Sequence, residues 1–354
     1  MKLSFAEDTA LWPRTAAARI ALALFALAVA AAPALLNGYL LSQVLFVAVL
    51  FIAGLGLQIL LGFTGQVSLG HAAFLAIGAY ASSWLAARGV DGLIAIPLAG
   101  LMASAVGVLV SIPTLRMSGL YLVVATIAFG HIVEEVAARW SSVTGGNTGL
   151  TVPSLHLAGI NFASPQRLYY VCVAFAVFAW WIGRNLLRTP LGRAMTAVRD
   201  SEVAARCMGV SVARTKAAAF GLSTFLCGVA GALYGHALGF ISPEQFTIVL
   251  SLDLLILVLV GGLASLLGVL LGAIFIVMLP EAIRVITGLL MPGTGEVQGV
   301  RPLTSGAILI AVMMFEQRGL YGLWLRLRTW VAAAPLYRRG SLRAQRGLIR
   351  SERW

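Results

Sequence analysis

The chain has 354 residues, of which 60% are hydrophobic and 11% charged, and a mean hydropathy of +0.94. An ordinary soluble domain carries roughly a quarter charged residues, so no soluble fold hides this much apolar surface, and one helical membrane bundle absorbs the whole length as a single domain. The formal charge of +12 does not point to nucleic acid, because the basic residues sit in a few clusters separated by long uncharged stretches.

A hydrocarbon core about 30 Å thick needs roughly 20 helical residues, so stretches free of Asp, Glu, Lys and Arg mark the spans. After Arg14 and Arg19 an apolar run, 20–36, has the outline of a signal peptide, but a second hydrophobic span follows almost at once, and it reads as an uncleaved first helix. No charge occurs between Arg19 and Arg88, which leaves room for three spans, divided at Asn37-Gly38 and at Gly62-Phe63-Thr64-Gly65. Further uncharged or nearly uncharged stretches are 92–112, 119–133, 168–183, 217–239, 245–260, 265–283 and 303–315. The expected fold is an all-α polytopic bundle of about ten transmembrane helices, some of them broken. Cys172, Cys207 and Cys227 are widely spaced, with no C-x-x-C, and read as packing residues rather than a disulfide frame or a metal site.

Lys and Arg concentrate on the cytoplasmic side of membrane proteins. With the N-terminus inside and ten spans, only Arg88, Arg139, Arg167, Arg284 and Arg301 fall outside, and both termini are cytoplasmic. The expected division is a cytoplasmic segment 1–18, a transmembrane domain 19–317 and a basic cytoplasmic tail 318–354. An outer loop at 138–167 is rich in Gly, Ser, Thr and Asn, which suits an ordered external connection. A cytoplasmic loop occupies 190–216.

That loop is too polar to span and too patterned for a slack linker. Asp200 or Ser201 can cap a helix over 202–208, with Glu202 in its first turn and Gly209 as a left-handed terminator. Val203, Ala204, Cys207 and Met208 then share one face. A short helix with an apolar face, ringed by Arg, suits a protein groove; the bland alternative is a helix lying on anionic lipid. The chain supplies no energy itself, since a phosphate-cradling P-loop needs Gly-Lys followed by Ser or Thr, and neither Lys2 nor Lys216 follows a glycine.

The string EVAARCMG resembles the E-A-A…G cytoplasmic loop of bacterial ABC-importer permeases, the element that docks into the ATPase subunit. The surrounding GRAMTAVRDSEVAARCMGVSVARTKAAAFGLSTFLCGVAGALYG is similar to branched-chain amino acid permeases of the Liv type. So are GFTGQVSLGHAAFLAIGAY, LRMSGLYLVVATIAFG, VTGGNTGL and VLVGGLASLLGVLLGA, which together cover most of 62–281. Chain length and the basic tail favour the M-type. Ala264 and Val269 stand where that family usually has Gly and Pro, and FEQRGL lacks the usual Pro before RGL. The resemblance implies an inner-membrane importer subunit working by alternating access. Its implied partners are a homologous second permease, two ABC ATPase subunits and a periplasmic or extracellular substrate-binding protein, with membrane lipid around it and no cofactor. Glu202, Ala204, Ala205, Met208 and Gly209 are the implied ATPase-coupling residues.

For the substrate path, Gly62, Gly65 and Gly70 can unwind a helix, and irregular backbone within the bilayer is tolerated only under protein or beside a water-filled cavity. Gly65, Gln66, Ser68, Gly70 and His71 are the path candidates; interhelical hydrogen bonding without ligand contact is an equal reading of Gln66 and His71. Asp253 stands alone in a hydrophobic span, where a charge costs at least about 2.5 to 3.5 kcal/mol, so it must face the bundle interior, be paired or be protonated. Glu134 and Glu135 read as a solvated helix end, and Glu281 as either that or a seat for a binding protein. His71, His131, His156 and His236 lack metal-ligand spacing, and no nucleophile elbow is present, so enzyme chemistry finds no support. The rival functions are an importer of urea, amides or another small solute, and an ion-coupled transporter using Asp253.

Overall fold

The computed structural model describes residues 29–290, apart from 116, 118, 158, 159 and 163, together with 306, 310, 314 and 319–333. Seven helices among the described residues are long and apolar enough to cross a membrane. In chain order the main helices are α1 (Gly38–Leu57), α2 (His71–Ala87), α3 (Gly92–Thr114), α4 (Leu120–Arg139), α5 (Pro165–Leu186), α6 (Pro190–Asp200), α7 (Glu202–Cys207), α8 (Val212–Leu238), α9 (Ile248–Gly261), α10 (Leu266–Leu290) and α11 (Gly319–Ala333). Seven of the ten expected spans correspond to the apolar helices, and the third, α2, is a shorter helix of 17 residues. The expected first and last spans lie largely outside the described residues, as do 1–18 and most of the basic tail. The start of that tail is the helix α11, which packs on α9 and α10.

The bundle is organised around α8, which contacts α1, α2 and α3. Small residues make this possible. A Cβ on Gly78 of α2 would lie 2.0 Å from the Gly228 carbonyl oxygen, and one on Gly231 would lie 2.0 Å from that of Leu75. The two helices therefore touch backbone to backbone, the close approach that lets van der Waals packing hold helices together in lipid. Phe74 and Phe220 fill the adjoining core, their rings edge to face at 5.9 Å. Cys172 and Cys227 are buried in the same packing, while Cys207 is exposed.

Two departures from the charge-gap reading have local causes. The helix expected to end near 133 continues to Arg139, because carboxylates can ride on its exposed last turns: His131 pairs with Glu134 at 3.4 Å, and Glu135 with Arg139 one turn on. The outer loop carries a short antiparallel pairing, Leu150 opposite Ile241 and Thr151 opposite Phe240, that ties it to the end of α8. Gly145, Gly146 and Gly149 supply the positive φ angles that fold its GGNTG turn. The loop 190–216 and the outer loop lie at opposite ends of the bundle, called here the near end and the far end.

Candidate functional site

The GFTGQVSLGHAAF segment is a helix, a break and a second helix, though the break does not begin where the glycines suggest. α1 runs on through a π-helical turn at Gln58–Phe63 that includes Gly62, and the backbone becomes irregular only after Thr64. π turns are rare and concentrate at functional positions. Gln58 links this turn to the one before α10: with its amide assigned so that the oxygen faces donors, that oxygen accepts from the N–H groups of Ala264 and Ser265, each at 2.6 Å. Gly65, with φ 70°, turns the chain back, and an irregular leg carries it to His71 at the start of α2.

Three helices satisfy this leg with one hydroxyl each. Thr126 of α4 accepts from the Leu69 N–H at 3.1 Å, Ser251 of α9 accepts from the Ala72 N–H at 2.9 Å, and Ser223 of α8 meets His71 Nε2 at 2.9 Å. His71 Nδ1 lies 3.1 Å from Ser68 Oγ, so both ring nitrogens are engaged. Gly70 is packed so that a Cβ would sit 2.5 Å from the Thr126 carbonyl oxygen. Gln66, Ser68 and His71 are all buried, and Gln66 donates to Thr64 Oγ1 at 3.4 Å. Non-helical backbone inside an apolar bundle needs such partners. The leg also borders a narrow crevice formed by Leu69, Ala72, His131, Glu134 and Ser251.

At the near end, Ser201 caps α7 by accepting from the Ala204 N–H at 3.2 Å, and Gly209, with φ 82°, follows it. Ala205 packs inward against Val198 and Val212. Val203 and Met208 are 73% and 84% exposed, and Ala204 and Cys207 share their outward side. Two polar ties join this loop to the bundle. Lys216 at the base of α8, whose side chain is 6% exposed, pairs with Glu202 at 2.6 Å, and Arg206 approaches the same carboxylate at 3.9 Å. Arg199, at the end of α6, donates to the Gly62 carbonyl at 2.9 Å and pairs with Asp200. The helix break and the cytoplasmic-type loop, read as separate motifs in the sequence, are thus in direct contact.

Asp253 lies on the outward face of α9 beside exposed Val249 and Leu252, with no hydrogen bond or ion pair among the described residues. It does not face the interior of this chain.

A family described as "Branched-chain amino acid transport system / permease component" matches residues 39–315. The chain belongs to this family. The permease is 34% identical over 292 residues to the high-affinity branched-chain amino acid transport system permease protein LivM of Escherichia coli (strain K12), covering 75% of this chain and 66% of that protein. It is 32% identical over 162 residues to the autoinducer 2 import system permease protein LsrC of Klebsiella pneumoniae, covering 44% and 45%. With the ribose import permease protein RbsC of Haemophilus influenzae it shares 29% over 134 residues, covering 36% and 40%. No solved structure matches. The permease therefore spans slightly less than two thirds of the Escherichia coli LivM, and it is a multi-pass helical membrane protein.

Sequence reasoning missed the hydroxyls of Thr126, Ser223 and Ser251 and the pairing of Lys216, because single Ser, Thr or Lys residues in separate helices carry no local pattern. It also missed that Tyr39 reaches across to Glu281 at the far end, donating its hydroxyl to the carboxylate at 2.7 Å.

Proposed function

We propose that this permease is half of the membrane channel of an ATP-binding-cassette importer for branched-chain or related small amino acids, sited in a bacterial inner membrane. It has ten spans with both termini in the cytoplasm, divided as 1–18, 19–317 and 318–354. Its partners are a homologous permease, two ATPase subunits and an external binding protein. Support for the topology comes from charge: Arg188, Arg193, Arg199, Arg206, Arg214 and Lys216 cluster at one end, which the positive-inside tendency makes cytoplasmic.

The observation that carries the reading is α7. It is capped at one end by Ser201 and closed at the other by Gly209, it presents Val203 and Met208 to solvent, and it is tied to α8 through Glu202 and to the helix break through the neighbouring Arg199. An apolar face of that kind, on a rigid element linked to two spans, is what an energy-supplying subunit needs to grip. ATP-driven approach of the two ATPases shifts α7, and the ties carry that shift to the base of α8 and to the Gly65–Gly70 hinge. Gln66, Ser68 and His71 lie on the moving leg, and rearrangement of their hydrogen bonds alternates the side to which the path opens. In this mechanism Ala205 holds the shape of α7, while Ala204 and Met208 meet the ATPase.

The test is co-purification. Met208→Glu places a charge on the more exposed of the two large apolar side chains of that face and leaves the fold of the chain alone. It is expected to lower ATPase recovery at least tenfold while membrane insertion stays at the wild-type level. Undiminished ATPase recovery would remove α7 as the docking element.

A further inference from the structure

At the far end of the bundle a cleft of about 510 Å³ opens between α1 and α10, with Tyr234 of α8 and Leu250 of α9 behind it. That volume lies in the range of small-molecule sites, roughly 300 to 1,000 Å³. Its floor is largely apolar: Phe46, Leu50, Leu250, Ile276 and Val277 line it, with Gln43 a polar side chain in the same lining. Its mouth is not. Glu281 and Arg284, one turn apart on α10, form an ion pair there. Tyr39 donates its hydroxyl to Glu281 at 2.7 Å, and the Arg284 guanidinium lies 5.3 Å from the Tyr39 ring centre.

The geometry points to this cleft as a binding station for a zwitterionic α-amino acid with an aliphatic side chain. An α-amino acid carries one ammonium and one carboxylate on the same carbon, and among the described residues the mouth offers one carboxylate and one guanidinium a turn apart. The amino acid carboxylate takes the Arg284 fork, whose planar donors match a carboxylate bidentately. The ammonium takes Glu281 and the Tyr39 oxygen, which can accept once its proton is directed elsewhere. A branched side chain then covers the apolar floor. Glu281 and Arg284 pair with each other, so neither charge stands bare when the ligand leaves. A sugar, with several neutral hydroxyls and no net dipole of this sort, makes poorer use of one Glu and one Arg over an aliphatic floor. The place of the cleft, at the end opposite α7, makes it the first station for a substrate arriving from the outer side.

The proposal rests on the amino acid importer reading above, and the experiment separates the two. The complete importer, with its second permease, ATPases and binding protein, is reconstituted in proteoliposomes and followed by ATP-dependent uptake of radiolabelled L-leucine. Absence of uptake by the wild type overturns the importer reading and the station with it. With the wild type active, Arg284→Gln and Glu281→Gln are each expected to lower the uptake rate at saturating binding protein about tenfold or more, the size expected when a hydrogen bond to a charged group is lost. Tyr39→Phe, which removes one hydroxyl, is expected to lower it severalfold. Binding-protein capture by the variants should remain at the wild-type level. The double exchange Glu281→Arg with Arg284→Glu restores an ion pair but reverses its direction over the floor, and uptake should stay low. Unchanged uptake in the single variants overturns the station, recovery in the double exchange reduces the pair to a structural brace, and loss of binding-protein capture makes this face a protein contact instead.

Discussion

Ala264 holds φ 60° in the turn between α9 and α10, and among the described residues it is the one non-glycine with a positive φ. An alanine Cβ in a left-handed backbone costs on the order of 1 kcal/mol through its contact with the following carbonyl. The turn keeps that conformation because Gln58, on the π turn of α1, bonds the N–H groups of both Ala264 and Ser265. Strain at one residue is thus set against two hydrogen bonds to a buried amide. Ala264→Gly relieves the clash and leaves both N–H groups in place, so it is expected to stabilise the permease by about 1 kcal/mol, read as a higher thermal midpoint in detergent. A lower midpoint would mean that the left-handed turn is not under strain. Gln58→Leu, which removes the bonds but keeps the bulk, is expected to do the opposite, since it takes the acceptor from the exposed Ala264 and from the buried Ser265, where an unsatisfied N–H costs about 1 to 3 kcal/mol.

Among the elements, α7 was the most legible in the sequence and the irregular leg the least. A cap, an acidic first turn and a terminating glycine all act within a few residues, so Glu202 and Gly209 could be read in place and the cap narrowed to Asp200 or Ser201, of which Ser201 is the one that forms it. The leg depends on partners more than 50 residues away, and its glycines marked the region while leaving its hydroxyl donors and acceptors unnamed. The tie between Glu202 and Lys216 lies between these cases, since both residues were visible but their pairing needed the fold. Lys216 is buried and Glu202 is partly exposed, so removing the acid strands a buried ammonium, whereas removing the ammonium frees a carboxylate that water can reach. Glu202→Gln is therefore expected to destabilise the permease more than Lys216→Met. Lys216→Met is expected to keep ATPase binding while lowering the amount of substrate moved per ATP hydrolysed severalfold, measured with the two rates side by side in proteoliposomes. An unaltered ratio would show that the shift of α7 reaches the bundle by another contact, with Arg199 and Gly62 the remaining tie.

For the whole molecule, gaps between charges located the apolar helices because lipid penalises charge at every point along a span, and that signal survives without knowledge of packing. The same reasoning left three places for Asp253: facing the bundle interior, paired, or protonated. In this chain it lies on the outer face of α9, flanked by Val249 and Leu252. Lipid against that face would cost at least about 2.5 to 3.5 kcal/mol for the carboxylate, which favours a polar cover, and in the importer proposed above a second permease subunit with a watery path between the two halves would supply it. The ion-coupled alternative needs the same carboxylate to carry a proton through each cycle. Asp253→Asn separates them: uptake by the importer is expected to remain dependent on ATP and indifferent to a proton gradient, with a rate within about threefold of the wild type, whereas a proton carrier loses transport. Position completes the argument. In a variant with Cys207→Ser, so that the buried Cys172 and Cys227 are the remaining native thiols, Asp253→Cys is expected to react with a water-soluble, membrane-impermeant thiol reagent in the assembled transporter. Protection of that thiol in the assembled state, together with reaction in the isolated chain, places it against the second subunit. Failure to react in either state would put α9 against lipid and leave the dimer face elsewhere on the bundle.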